Sequence, residues 1–315
     1  MTTKQYIDSL SHLIDGVLLT ELGQLKTTLF AEMAEMDFSS DGKLTKSGYN
    51  QGIVKEIENR IISKTTQAKM KKILREFGEL MTLNSEMYEE LGYDVNEKAI
   101  RDLGAVKVVQ DWTMTELGGR SKLLTANIKK AFHKSIFGNQ STMALIETIG
   151  GKWDYETESY RGGELAKFKS QAFTIANTGL VIADRKISNA MANDMGIEWF
   201  RPRGPSKEKI IRPFCYAVMA LKDPNSNGKL PYSQSSKGFG AWFAGLKDLE
   251  NEDGYLHIET IKRLKNSQKG MSDTLASFGG WNCRHTFRPA RFLVNRDLMA
   301  EYPEQNNLGV MSSAT

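Results

Sequence analysis

The chain has 315 residues, 40% of them hydrophobic and 25% charged, with a net charge of +4. This is the balance of a globular protein of about two domains at ~150 residues each, and no run of roughly 18 apolar residues marks a membrane span. Two cysteines exclude a disulfide scaffold, and the mixed start "MTTKQYIDSLSHLIDG" lacks the basic-then-apolar pattern of a signal peptide, so folding in a reducing cytoplasm is expected.

Leu10, Leu13, Ile14, Val17, Leu18, Leu22, Leu25 and Leu29 recur at steps of three and four, which predicts a long first helix with these side chains on one face. "DFSSDGKLTKSGYN" then imitates a calcium loop, with Asp37, Ser39, Asp41 and Gly42 at its first, third, fifth and sixth positions. Its twelfth position is Gly48, where such a loop needs a bidentate glutamate. A hairpin or a helix–helix turn is expected there instead of a calcium site. Ile53, Val54, Ile57, Ile61 and Ile62 line a second helix, and Met70, Ile73, Leu74, Phe77, Leu80 and Met81 a third. Lys71, Lys72, Arg75 and Glu76 fall on its other faces and read as solvated surface. Leu123, Leu124, Ile128, Phe132 and Ile136 mark a further helix, on which His133 reads as a surface or satisfied polar residue in preference to a ligand. "GNQSTMALIETIGG" predicts a short helix that starts on Asn139 or Ser141 and stops at Gly150 and Gly151.

"GKWDYETESYRGG" reads as a turn-rich polar bridge. A long helix follows at about 164–195, with Phe168, Ala172, Ile175, Gly179, Ala183, Ile187 and Ala190 in register and Gly196 as its left-handed stop. Its small residues Ala172, Ala176, Gly179 and Ala183 predict close packing against another element. The texture then changes. "IEWFRPRGP" reads as a strand ending in a Gly-Pro turn, and "IIRPFCYAVMAL" as a short helix with Pro213 in its first turn. "KDPNSNGKLPYSQSSKGFG" reads as loop and "YLHIETIKRLKN" as one more short element. The expected fold class is a mainly α N-terminal part, 1–195, followed by a smaller loop-rich α+β C-terminal domain, 196–298, and a flexible tail, 299–315.

Candidate chemistry gathers in the C-terminal part. Cys215, Cys283 and His285 could ligate zinc, with His257 as a fourth donor. The paired C-x-x-C spacing of common zinc modules is absent, so simple packing of Cys215 and a hydrogen-bonded His285 stand beside the metal as readings, as does a Cys215–Cys283 disulfide under oxidant. A cysteine nucleophile with His257 or His285 as base is a further alternative, though no protease or amidase signature surrounds it. No phosphate-binding or dinucleotide-binding glycine motif is present. Arg201, Arg203, Lys207, Lys209 and Arg212 lie within twelve positions, and Arg284, Arg288, Arg291 and Arg296 follow the second cysteine. If the two cysteine stretches meet, these charges form one surface for phosphates or an acidic partner. Otherwise they are absorbed by Glu198, Glu208 and Asp297.

Taken in order, "GIEWFRPRGPSKEKIIRPFCYAV" and, after a long gap, "FGGWNCRHTFRP" resemble the minor head proteins of tailed bacteriophages, the Mu F-like head morphogenesis family. The matching residues are Gly204, Pro205, Arg212, Pro213, Phe214 and Cys215, then Gly279, Gly280, Trp281, Asn282, Cys283, Arg284, His285 and Pro289. The resemblance covers about the last third of the chain. In the preceding helix Thr178 matches the family's Arg-Thr-Glu step, while Asn177 and Gly179 replace its charged neighbours. The resemblance implies a structural protein and no enzyme: a component of the head interior near the portal vertex, made in the host bacterial cytoplasm. Its implied partners are the portal protein, the major capsid or scaffolding protein, and packaged double-stranded DNA. About thirty residues follow His285, too few for the effector domains some members carry there. A DNA-binding protein with a small Cys/His zinc module is the alternative reading.

Overall fold

The first apolar stripe becomes a buried face, but not across its whole width. The computed structural model describes residues 3–61, 71–95, 104–138, 140–156, 159–204, 215, 254–263, 283 and 285–297. Helix α1 is Thr3–Ala34, with Leu10, Ile14, Leu18 and Leu29 buried together with Tyr6 and Met33. Leu13 shares the spacing yet is 49% exposed. It lies about 60° back around the helix from Leu10, whereas Ile14 and Leu18 advance by about 40° each, so Leu13 falls on the rim of the stripe.

The calcium-like stretch is a helix–helix turn, as expected, leading into α2 (Gly48–Ile61). A side-chain amide closes it. Buried Asn50 accepts from the Asp37 amide at 2.7 Å and donates to the carbonyls of Asp37 and Thr45 at 2.9 and 3.0 Å. The Lys43 ammonium stands 2.8 Å from the Asp41 carboxylate and balances its charge. Ile53 and Val54 point inward on α2; the side chains of Ile57 and Ile61, and all of Ile62 and Met70, lie outside the described residues. Ile73, Leu74, Phe77, Leu80 and Met81 are buried along a helical segment at 71–75, a 3-10 turn at Glu76–Gly78 and α3 (Glu79–Glu90).

Helix α4 (Ala105–Phe137) buries Leu124, Ile128, Phe132 and Ile136 and leaves Leu123 exposed. His133 is a surface residue that stacks on Phe137 at 5.6 Å. Helix α5 (Thr142–Gly150) starts on Ser141, whose hydroxyl accepts from the Ala144 amide at 3.2 Å, and stops at Gly151 with φ 93°. Asn139, the other candidate start, lies outside the described residues.

The stretch read as a polar bridge holds an antiparallel hairpin, β1 (Lys152–Asp154) and β2 (Ser159–Arg161), with Trp153 opposite Tyr160. Strands of three residues are too short to show alternation in sequence. Close backbone approach at the flanking glycines places them. A Cβ on Gly151 would fall 2.8 Å from the Gly162 carbonyl oxygen, and one on Gly163 would fall 2.8 Å from that of Ile149. Helix α6 (Gly163–Asp194) follows. Its expected close packing is met at Gly179, where a Cβ would lie 3.3 Å from that of Thr113. Asn177 accepts from the Ser11 hydroxyl at 2.5 Å, and Lys169 pairs with Asp15 at 3.0 Å.

Contacts divide the chain into two units. One comprises Lys4–Glu76 and Val109–Leu180, with a core that includes Leu29, Met33, Leu44, Val54, Ile128, Phe132, Leu145, Ile149 and Leu165. The other comprises Met1–Thr3, Phe77–Val108 and Val181–Thr315. This division differs from the texture change near 195, and side-chain bonds give the reason. Tyr88 donates to the Ser188 carbonyl at 2.6 Å, Asn84 to the Asp184 carboxylate at 2.8 Å and Tyr93 to the Ala290 carbonyl at 2.9 Å.

The second unit carries a sheet of β3 (Trp199–Arg203), β4 (Leu256–His257) and β5 (Thr286–Pro289), ordered β4-β3-β5 and antiparallel throughout. Helix α7 (Ile258–Arg263) continues from β4, and a helical segment at 292–297 follows β5. A mostly helical chain with a small C-terminal sheet and short helices is the expected fold class. β4 spans only Trp199 and Phe200, so Pro202 sits where the missing amide costs no ladder bond. The segments 205–214, 216–253 and 298–315 lie outside the described residues; these hold the expected Pro213 helix turn, the loop and the tail. Among the described residues no helix is long and apolar enough to cross a membrane.

Two measurements test this packing. Gly179→Val should lower unfolding stability by about 1–3 kcal/mol through overpacking, and Thr113→Ala in the same chain should restore part of it. Equal losses in the single and double variants would show that Thr113 is not the obstacle. The second concerns Asp184, whose carboxyl burial pushes above its ordinary 3.8 against the opposing effects of Asn84, Arg185 and Arg288. A raised folded value favours the protonated form, so the native state loses stability as pH rises through that value. Relative to the wild type, Asp184→Asn should therefore gain stability as pH climbs from below 3.8 to neutrality; a pH-independent difference in denaturant midpoints would contradict this.

Candidate metal centre

Extended chain turns side chains to alternate faces, and that alternation builds the centre. Cys283, His285, Phe287 and Pro289 are all buried, while Thr286 is half-buried and Arg288 exposed between them. Cys283, two positions before His285, is buried beside it, and its Sγ faces the His285 ring. Cys215, helical and 2% exposed, meets them from 68 positions upstream. Its Sγ lies 3.5 Å from the Cys283 Sγ, and the Cys283 Sγ lies 3.6 Å from the His285 Nδ1. Neither cysteine is in a disulfide. One donor atom from each residue lies within 4.8 Å of the others, a set that could hold a metal ion.

The ladder explains Gly204. Ala290 donates to the Trp199 carbonyl at 2.9 Å, which makes 199/290, 201/288 and 203/286 the hydrogen-bonded pairs of β3 and β5. Gly204 and His285 occupy the next, non-hydrogen-bonded position, where Cα atoms approach to about 4.5 Å. A Cβ on Gly204 would fall 2.7 Å from the imidazole Cγ. Glycine stands there to admit the ring, a role distinct from the expected turn with Pro205.

Arg185 of α6, buried, closes the centre from behind. It donates to the Cys283 carbonyl at 2.6 Å and to the His285 carbonyl as well. Hydrogen bonding from Cys215, then from His285, with this guanidinium nearby, holds the Cys283 thiol far below its ordinary range against the opposing effect of burial. Thiolate is the form a metal ligand takes. Sequence reading passed over Arg185. The available signal was its place on the row Ile175, Thr178, Ile182, Arg185, a charge at helical spacing within a buried face.

His257 does not join the centre. Its Nε2 bonds the Glu198 carboxylate at 2.8 Å, its Nδ1 accepts from the Glu259 amide at 3.3 Å, and its ring meets Trp199 edge-on at 5.3 Å. As a core histidine at a strand pair, it is corrected from candidate ligand to structural residue. Cys215, Cys283 and His285 remain.

The two basic clusters do meet in part. Arg201 stands directly opposite Arg288, and Arg203 opposite Thr286. The Arg201 guanidinium lies 5.9 Å over the Tyr255 ring, and Arg203, Arg288 and Arg291 are exposed. Glu198 is engaged by His257 and Asp297 by Arg296. Among the described residues no carboxylate forms an ion pair with Arg201, Arg203, Arg288 or Arg291. Lys207, Glu208, Lys209, Arg212 and Arg284 lie outside the described residues, as do Pro205, Pro213, Phe214, Gly279, Gly280, Trp281 and Asn282. No family model, curated protein or solved structure matches the chain.

Replacing Arg185 by Met keeps its volume but leaves two buried carbonyls without a charged donor. Hydrogen bonds to charged groups contribute roughly 1.5–3 kcal/mol each. Arg185→Met should cost about 3 kcal/mol or more of unfolding free energy, measured in denaturant; a loss within 0.5 kcal/mol, about that of an ordinary surface substitution, would dismiss the role.

Proposed function

We propose that this chain is a structural minor head protein of a tailed bacteriophage, similar to the Mu F-like family. In this reading it aids procapsid assembly from inside the head near the portal vertex, after synthesis in the host cytoplasm. It binds the portal protein and the major capsid or scaffolding protein, touches packaged double-stranded DNA, and catalyses nothing. One observation carries the reading. Of the two motifs on which the resemblance rests, Cys215 of the first and Cys283 of the second lie 3.5 Å apart, and a buried arginine bonds the carbonyls of Cys283 and His285. Their combination then has a physical purpose, a clasp that joins distant parts of the chain. A structural zinc ion is the cofactor this reading assigns to the clasp.

A second reading is favoured by the paired Arg201 and Arg288: a DNA-binding protein that acts outside the particle, with the same clasp as its zinc module. Mass spectrometry of purified particles separates the two. The first expects this chain in heads, in few copies. Its absence from heads, joined to DNA affinity that falls steeply with salt, would favour the second.

A further inference from the structure

The chain's six cysteines and histidines are all among the described residues, and three of them are excluded from the centre. The full inventory is Cys215, Cys283, His12, His133, His257 and His285. His12 and His133 are exposed on α1 and α4, and His257 is held by Glu198 and Glu259. Only Cys215, Cys283 and His285 converge.

Two of their three separations match edges of a zinc tetrahedron, and the third lies within 4.8 Å. With Zn–S near 2.3 Å and Zn–N near 2.0–2.1 Å, such a tetrahedron has S···S edges of about 3.8 Å and S···N edges of about 3.5 Å. The corresponding separations here are 3.5 and 3.6 Å. Two thiolates and one imidazole suit zinc by softness and neutralise its charge in a buried setting. Arg185, bonded to the carbonyls of both Cys283 and His285, is the outer-shell group that orients such ligands.

We propose that Cys215, Cys283 and His285 bind one zinc ion whose fourth ligand is an oxygen donor, a water or a carboxylate, because this chain has no further cysteine or histidine to offer. The site is thus a Cys2His centre with oxygen in its fourth position, unlike the all-Cys/His sites of common zinc modules. The inference rests on the zinc assignment above but not on the head-protein reading. A particle lacking the chain would leave it standing, and a chain without zinc would leave the head-protein reading standing.

The test uses the full chain, purified under reductant, with metal content by mass spectrometry and zinc X-ray absorption. One zinc per chain is expected, with two sulfurs at about 2.3 Å and two nitrogen or oxygen neighbours at about 2.0–2.1 Å. Protein isolated without metal should take up one equivalent of zinc in competition with a chromophoric chelator. Four sulfurs around the ion, as when two chains share it, would overturn the proposal. So would failure of the reduced chain to take up zinc. Gly204→Ala provides a second variant that leaves every ligand in place but crowds the imidazole. It should weaken zinc binding about tenfold or more while both sulfurs stay in the spectrum, and unchanged affinity would overturn the role of His285.

Discussion

A single buried guanidinium, that of Arg185, ties α6 to the chain at Cys283 and His285 by donating to their carbonyls. Removing a charge from water is costly unless it is hydrogen-bonded, so these carbonyls are required where Arg185 is, and the chain at 283–285 is required to pass there. The same turn of α6 carries Asp184 and Ser188, which receive hydrogen bonds from Asn84 and Tyr88. Residues 184–188 thereby tie the segment before α4 and the segment after β3 to one helix. The polar bonds give direction to an association that the buried aromatics Tyr88, Phe200 and Phe287 drive by area.

Strand alternation then separates two kinds of chemistry. His285, Phe287 and Pro289 of the extended chain are buried, while Arg288 and, on the paired strand, Arg203 are exposed. Arginines placed directly across a ladder repel. Here the Arg201 guanidinium lies over the Tyr255 ring, and Arg288 lies near enough to Asp184 to lower that group's proton affinity. The basic face and the clasp are thus two sides of one sheet, set by one register.

The turn between α1 and α2 shows the opposite economy of means. It keeps the outline of an ion-binding loop and supplies an amide side chain and an ammonium for its closure. Asn50 satisfies three backbone groups at once and is fully buried, so a single amide side chain holds the turn closed.

Much of this protein is determined by its sequence alone. Helix faces at Leu10, Ile14 and Leu18, at Ile73 to Met81 and at Leu124 to Ile136 follow from spacing, because burial of a helical stripe is a local periodic property. So do the Ser141 and Gly151 ends of α5 and the left-handed Gly196. The three-residue strands of the hairpin, the exposed Leu13 and the placing of 77–108 with the C-terminal segment were decided by packing, since each depends on a partner distant in sequence. The same holds at the centre. Sequence could nominate Cys215, Cys283, His285 and His257, as donor types are visible in any chain. Only tertiary structure could hand His257 to Glu198, bring Cys215 across 68 positions and reveal Arg185 and Gly204. A hydrogen bond to a carbonyl and a space the size of a methyl group leave no mark on residue type.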